Sequence, residues 1–228
     1  GGISDKLIAL ANSLVGWMRG GLAMVNIVAS YFFGGISGSA SADTASLGSI
    51  LIPMMVDQGY DADFSTAVTI TSSCEGLLVP PSHNMVIYAT TASGISVGAL
   101  FMAGYVPGAI LALSLMVGSY IISVKRNYPK GEPFRFSVFL KQLATSFWAL
   151  AAILIVVVGV VCGVFTATES AAIAVVYSLF VSVFIYRGLN WKGVWKSLDT
   201  CVETLAIVLI LIATSAAFGY CISHMNVL

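Results

Sequence analysis

Charge is what this chain has least of. Asp, Glu, Lys and Arg supply 9% of its 228 residues, against about 25% in soluble domains. None of them lies between Gly76 and Val124, between Gln142 and Thr168, or between Thr204 and Leu228, and each run exceeds the roughly 20 residues that a membrane-spanning helix requires. With 58% hydrophobic residues and a mean hydropathy of +0.97, a soluble domain is excluded. The strict apolar–polar alternation of a transmembrane barrel is missing too. Ten basic residues balance ten acidic ones, and the basic ones are scattered or stand at helix ends, so no nucleic-acid footprint is present. Cysteine is scarce. Cys74, Cys162, Cys201 and Cys221 fall in apolar stretches without metal-ligand spacing, which excludes a disulfide framework and a zinc site and leaves packing as their expected role. An initiating Met is absent at Gly1 and a polar finish is absent after HMNVL, so the expectation is a piece of a longer protein, truncated at both ends.

What the chain does have is an all-α integral membrane pattern with one segment unlike the rest. Tyr31 to Pro53, YFFGGISGSASADTASLGSILIP, places a turn rich in Gly, Ser, Ala and Thr between apolar runs. In hydrocarbon, main-chain groups outside a helix must be satisfied by protein or ligand, so such a turn belongs where it lines a buried site. The runs Gly21 to Phe33 and Thr44 to Val56 are each too short to cross, and together they read as a re-entrant hairpin. Phe64 to Ala92 is long enough but is interrupted by SSCEGLLVPPSHN. Consecutive prolines remove two N–H donors and disfavour helix before them, so this is a discontinuous helix.

Seven segments follow from the pattern: an amphipathic arm helix at 1–20, the hairpin at 21–56, the broken helix at 57–92, a span at 93–124, a basic loop at 125–144, a pair of spans at 145–186, and a basic loop opening a further span at 187–228. The basic loops at 125–141 and 187–196 share one face, as cytoplasmic loops do. A hairpin at 21–56 puts Arg19 on that same face, as would two complete spans.

Gly35, Ser37, Gly38, Ser39, Ala40 and Ser41 offer hydroxyls and freely turning backbone, the ligands of hard cations such as Na⁺, and half-helix ends add a dipole suited to small ions and carboxylates. Ser72, Ser73, Glu75, Gly76, Ser82, His83 and Asn84 bring polar groups to the break. An ionisable residue at membrane depth is a functional candidate, so Glu75 either ligates a cation, takes a proton or pairs within the fold. Asp43 reads as the cap of a half-helix starting at Thr44, and Glu169 has a similar role in the 166–169 turn. Gly94-xxx-Gly98, Gly104-xxx-Gly108 and Gly159-xxx-Gly163 read as small-residue packing faces. Two other functions compete: a channel-like protein, and a serine protease using Gly35-Ile36-Ser37-Gly38 with His83 as base, whose surplus hydroxyls have no use in acyl chemistry.

FFGGISGSASADTASLGSILIPMM, SSCEGLLVPPS, SVGALFMAGYVPG and GVFTATESAAIAVVYS, in that order, resemble the large membrane subunit of tripartite ATP-independent periplasmic (TRAP) transporters of the C4-dicarboxylate and sialic-acid type. The resemblance implies half of an inverted-repeat elevator transporter, not an enzyme, in the bacterial inner membrane. It would import a C4-dicarboxylate, sialic acid or another sugar acid by Na⁺ symport. A small membrane subunit and a periplasmic substrate-binding protein would be its partners. Carried onto these residues, Na⁺ falls to Gly35, Ser37, Ser39, Ser41, Ser72, Ser73, Glu75 and Gly76, and substrate to Gly38, Ser39, Ala40, Ser41, Ser82 and His83. Cys74-Glu75 and His83-Asn84 depart from the family's uncharged or apolar pattern.

Overall fold

The computed structural model describes residues 3–92 and 94–225. Residues 1, 2, 93 and 226–228, at the edges of the expected segments 1–20, 93–124 and 187–228, lie outside the described residues. The described residues form helices α1 (Ile3–Val15), α2 (Gly21–Ser37), α3 (Ala40–Asp57), α4 (Ala62–Ser73), α5 (Glu75–Leu78), α6 (His83–Thr91), α7 (Val97–Lys125), α8 (Phe136–Val161), α9 (Ala167–Phe180) and α10 (Trp191–His224). A single π turn, Val181–Ile185, continues α9.

Four segments, Val97–Lys125, Phe136–Val161, Ala167–Ile185 and Trp191–His224, are long and apolar enough to cross a membrane. Helix α2, at 17 residues, falls short. Gly38, at φ 60°, turns α2 directly into α3, so the two antiparallel legs are separated by Gly38 and Ser39 alone. The core lies where α1, α2, α3 and α4 meet: Ala11, Met24, Ile27, Leu47, Leu51 and Met55 are fully buried there. Lipid tails are as apolar as these side chains, so close packing and interhelical hydrogen bonds, rather than escape from water, hold such a core together.

One end of the bundle is tied by polar contacts. Arg19 and Lys130 form an isolated antiparallel bridge, and Gly20 N–H donates to Pro129 O at 3.0 Å. At the same end Arg126 pairs with the Asp61 carboxylate, which accepts from Tyr128 Oη at 2.7 Å. Tyr60, Phe64 and Tyr128 stack beside it, with ring centroids 4.4 and 5.2 Å apart from Tyr128. The start of α2, the end of α3 and the end of α7 therefore share one end of the molecule.

Several expectations need correction. Helix α8 starts at Phe136, ahead of the expected 145, and α10 at Trp191, inside the basic loop expected from 187. Lys141, Lys192 and Lys196 sit on these helices rather than in loops, because long basic side chains near a span's end carry their charge outward. The basic loop thus shrinks to the residues between Lys125 and Phe136. The four cysteines are exposed and pack no core, since each stands on an outward face or at a helix end. Gly94 and Gly163 are turn residues at φ 88° and 69°, with nothing within 4 Å of an added Cβ, so neither belongs to a packing face. Gly104 and Gly108 do: a Cβ on Gly104 would stand 2.5 Å from Leu78 O, and one on Gly108 3.0 Å from Val79 Cγ2.

Candidate functional site

The tip of the α2–α3 hairpin is pressed against the break between α5 and α6. A Cβ on Gly34 would stand 2.8 Å from Gly76 Cα, and one on Gly38 2.7 Å from Pro81 O. Gly35 is less confined, a Cβ there lying 3.2 Å from Ile153 Cγ2 and 3.3 Å from Pro80 O. His83 N–H donates to Gly38 O at 3.4 Å. Glycine is required at 34 and 38 because two stretches of backbone approach there with no room for a side chain. Hairpin tip and helix break, distant in sequence, thus make one junction.

Local chemistry explains each side. Ser39 caps α3, its side chain accepting from Ala42 N–H at 3.5 Å, and its Oγ lies 3.1 Å from Ser41 Oγ. Ser37 Oγ donates to Ser39 O at 3.4 Å. On the other side Pro80 and Pro81 have no N–H, so the carbonyls of Gly76 and Leu77 lose their helical donors. Ser82 Oγ takes up Leu77 O at 2.8 Å.

Behind the junction a polar ladder joins α2 to α4. Asn26 Nδ2 donates to Thr69 Oγ1 at 2.6 Å, Ser72 Oγ donates to Asn26 Oδ1 at 3.4 Å, and Ser30 and Ser72 hydroxyls are 3.1 Å apart. Ser73 Oγ donates to Thr69 O at 2.7 Å. All five residues are buried. Two carboxylates also lie here. Asp43 and Glu75 are both 0% exposed, and none of their four oxygens has a hydrogen-bond partner.

The junction gathers Gly35, Ser37, Gly38, Ser39, Ala40, Gly76 and Ser82. Ser72 stands further back, committed to the ladder, and Ser41 is exposed. His83 and Asn84 turn their side chains outward, and Ser37 and His83 share no hydrogen bond, so the pairing that hydrolysis requires is absent among the described residues. Asp43 does not cap: α3 begins at Ala40 with Ser39 as its cap, because the chain has already turned at Gly38, which leaves Asp43 inside the helix. Glu169 does cap. Its Oε2 accepts from Thr166 N–H at 2.8 Å while Thr166 Oγ1 accepts from Glu169 N–H at 3.3 Å, a reciprocal capping box. Asn26, Ser30 and Thr69 were not anticipated. Their signal was present, as polar residues inside otherwise apolar helices.

Four helices long and apolar enough to span, beside a polar junction of interrupted helices, mark an integral, multi-pass membrane protein. All 228 residues match the family model described as tripartite ATP-independent periplasmic transporter, DctM component, and the chain belongs to this family. It is similar to the sialic acid TRAP transporter permease protein SiaT of Haemophilus influenzae, with 39% identity over 100% of this chain and 37% of the relative. It is similar also to the C4-dicarboxylate TRAP transporter large permease protein DctM of Rhodobacter capsulatus, 36% identical over 98% of this chain and 54% of the relative. A third, the isethionate TRAP transporter permease protein DctMQ of Oleidesulfovibrio alaskensis, is 37% identical over 96% of this chain and 34% of the relative. These relatives are transporter permeases, not enzymes. The chain spans about half, or less, of the length of these relatives.

Proposed function

We propose that this chain is half of a Na⁺-coupled importer of a small organic anion, working in the bacterial inner membrane with a small membrane subunit and a periplasmic substrate-binding protein. The observation that supports the reading is the junction itself: two interrupted helices meet and present hydroxyls and main-chain oxygens to each other. The oxygens of Gly35, Ser37, Ser39, Ser41 and Gly76 take Na⁺, with Ser72, Ser73 and Glu75 behind them. The substrate anion binds over Gly38, Ser39, Ala40, Ser82 and His83, where the N-terminus of α3 favours negative charge.

The hairpin is re-entrant in this reading. Both its ends lie at the end tied by Arg19–Lys130 and Asp61–Arg126, which the excess of basic loop residues makes cytoplasmic. The break that its tip abuts lies beside Gly104 and Gly108 of α7, through Leu78 and Val79, on the order of 25–30 Å from the Lys125 end at 1.5 Å per residue. The substrate class follows the relatives, whose names give sialic acid, C4-dicarboxylates and isethionate; all are anionic. Alternating access is of the elevator kind, the hairpin and broken helix moving together past the remaining spans.

The test is uptake of labelled sialic acid, succinate and isethionate into proteoliposomes. They hold the full-length protein, its small subunit and its binding protein, with and without an inward Na⁺ gradient. Concentrative uptake that requires Na⁺ and drops at least tenfold in Ser39→Ala supports the reading. Equal downhill flux under every condition overturns it in favour of a channel.

A further inference from the structure

At the tied end of the bundle lies a cavity of about 610 Å³ that shares no residue with the junction. It opens between α1, the start of α2, the end of α3 and the connection that joins α7 to α8. Both α7 and α8 are long and apolar enough to span. Their connection, and the cavity with it, therefore sits at a membrane surface whether or not the hairpin is re-entrant. The inner wall is apolar, built by Ile8, Leu22, Val25, Ile50 and Met54. Trp17 and Phe134, both exposed, border it as well, in the manner of aromatic rings at the level of lipid headgroups.

The rim carries both signs of charge. Lys130 and Arg135 supply cations and Asp5 and Glu132 carboxylates, all four lining the same cavity. None of them forms an ion pair among the described residues, where the pair is Arg126–Asp61, so each charge is available to a ligand. The backbone holds this rim in place. Gly20 N–H donates to Pro129 O at 3.0 Å, Arg19 and Lys130 bridge, and a Cβ on Gly131 would run into Gly16 O. The connection that carries Lys130, Glu132 and Arg135 is thus clamped on the α1–α2 turn, and a ligand there meets charges already positioned instead of ordering them itself.

An apolar wall under a rim of mixed charge fits an amphiphile whose head bears both signs. A simple anion, or a lipid head that is only anionic, meets Asp5 and Glu132 along with the cations. A phosphate ester joined to a primary ammonium group satisfies both pairs. We propose that this cavity binds one phospholipid of the phosphatidylethanolamine type. Its phosphate accepts charge-assisted hydrogen bonds from Lys130 and Arg135, and its ammonium donates to Asp5 and Glu132. The acyl chains run along Ile50 and Met54, and the lipid wedges α1 and the base of the hairpin against the connection to α8.

The test is the melting midpoint of the purified, delipidated full-length protein in detergent. It is titrated with phosphatidylethanolamine, phosphatidylcholine or phosphatidylglycerol of the same acyl chains, or with soluble phosphoethanolamine. Phosphatidylethanolamine raises the wild-type midpoint in a saturable way, half-saturating at a mole fraction roughly fivefold or more below the other two lipids, and phosphoethanolamine alone has no effect. Lys130→Gln combined with Arg135→Gln weakens that response by roughly tenfold or more, through loss of the charge-assisted bonds. Asp5→Asn combined with Glu132→Gln turns the preference to phosphatidylglycerol, a reversal that damage to the fold does not produce. Met54→Trp fills the cavity from an exposed position and abolishes the saturable response. All five altered side chains are exposed, so lipid-free midpoints close to wild type serve as the folding control. Lys192→Gln with Lys196→Gln, on α10 and outside the cavity, responds as wild type.

Equal shifts from the three lipids would mean general solvation by lipid, and a full shift from phosphoethanolamine alone would mean a soluble ligand. A response unchanged in the Lys130 and Arg135 double variant, or in Met54→Trp, would put the lipid elsewhere. Each of these overturns the proposal, as does the absence of a shift with any lipid, the result expected if a protein segment fills the cavity. No readout involves Na⁺ or uptake, so failure here leaves the importer reading standing, and failure of Na⁺-driven uptake leaves this site standing.

Discussion

Gly34 and Gly76 meet face to face: a Cβ on Gly34 would lie 2.8 Å from the Cα of Gly76, whereas a Cβ on Gly76 would lie 3.4 Å from the nearest atom, the carbonyl carbon of Ser39. The contact is therefore one-sided. Gly34→Ala forces backbone against backbone and is expected to destabilise by about 1–3 kcal/mol, the usual range for overpacking a tight core. Gly76→Ala enters ordinary van der Waals distance and should cost well under half as much. Thermal melting of the two variants side by side checks this; equal losses would mean that the helices are free to separate.

The α2–α4 ladder predicts coupling between distant residues. Asn26→Ala removes the donor to Thr69 Oγ1 and the acceptor for Ser72 Oγ, and is expected to cost about 1–3 kcal/mol by leaving buried groups unpaired. Thr69→Val should cost less once Asn26 is gone. A double-mutant cycle on stability is expected to show non-additivity of roughly 0.5 kcal/mol or more. Strict additivity would show that the ladder carries no stabilising energy.

The Asp61 cluster predicts acid sensitivity. The Tyr128 hydroxyl, then the Arg126 guanidinium, hold the Asp61 carboxyl below its ordinary 3.8. A lowered folded-state value gives stability that is complete above the unfolded value and is lost as pH falls through the folded one. Wild type and Asp61→Asn should thus differ at neutral pH and converge below about pH 4. The neutral-pH difference is expected to be small, since the pair is exposed and screened. Melting midpoints from pH 7 to pH 3 decide it, and a constant gap would rule out titration of Asp61 as the source.

Accessibility to a membrane-impermeant maleimide tests the topology. Gln58→Cys, after α3, and Asn127→Cys, after α7, in a background without native cysteines, are expected to react from the same side. A cysteine kept at Cys162, between α8 and α9, should react from the other. Labelling of Gln58→Cys and Asn127→Cys from opposite sides would overturn the placing of the ends of α3 and α7 at one face.

The break and the turn were legible because their signals are local. Pro80-Pro81 removes helical donors wherever it stands, Gly38 supplies the left-handed turn, and Thr166-x-x-Glu169 spells its own cap. The starts of α8 and α10 were not legible, since Lys141, Lys192 and Lys196 look the same on a helix end as in a loop. Asp43 was misplaced for a related reason. Once α3 is taken to begin at Thr44 its predecessor looks like a cap, and only the backbone geometry at Gly38 and Ser39 moves the start back to Ala40. Asn26 and Ser30 drew no attention because their partners, Thr69 and Ser72, stand more than 40 positions away, and pairing of that kind is a property of the packed helices.

The Asn26–Thr69 and Ser30–Ser72 rungs link the first leg of the hairpin to the helix that leads into the break. Mechanically, the two behave as one piece: a displacement of the tip carries the break with it instead of opening a gap between them. On the importer reading proposed above, a guest at Gly38 and Pro81 would be conveyed with its surroundings unchanged, and the work of the cycle would fall on the surfaces outside this block.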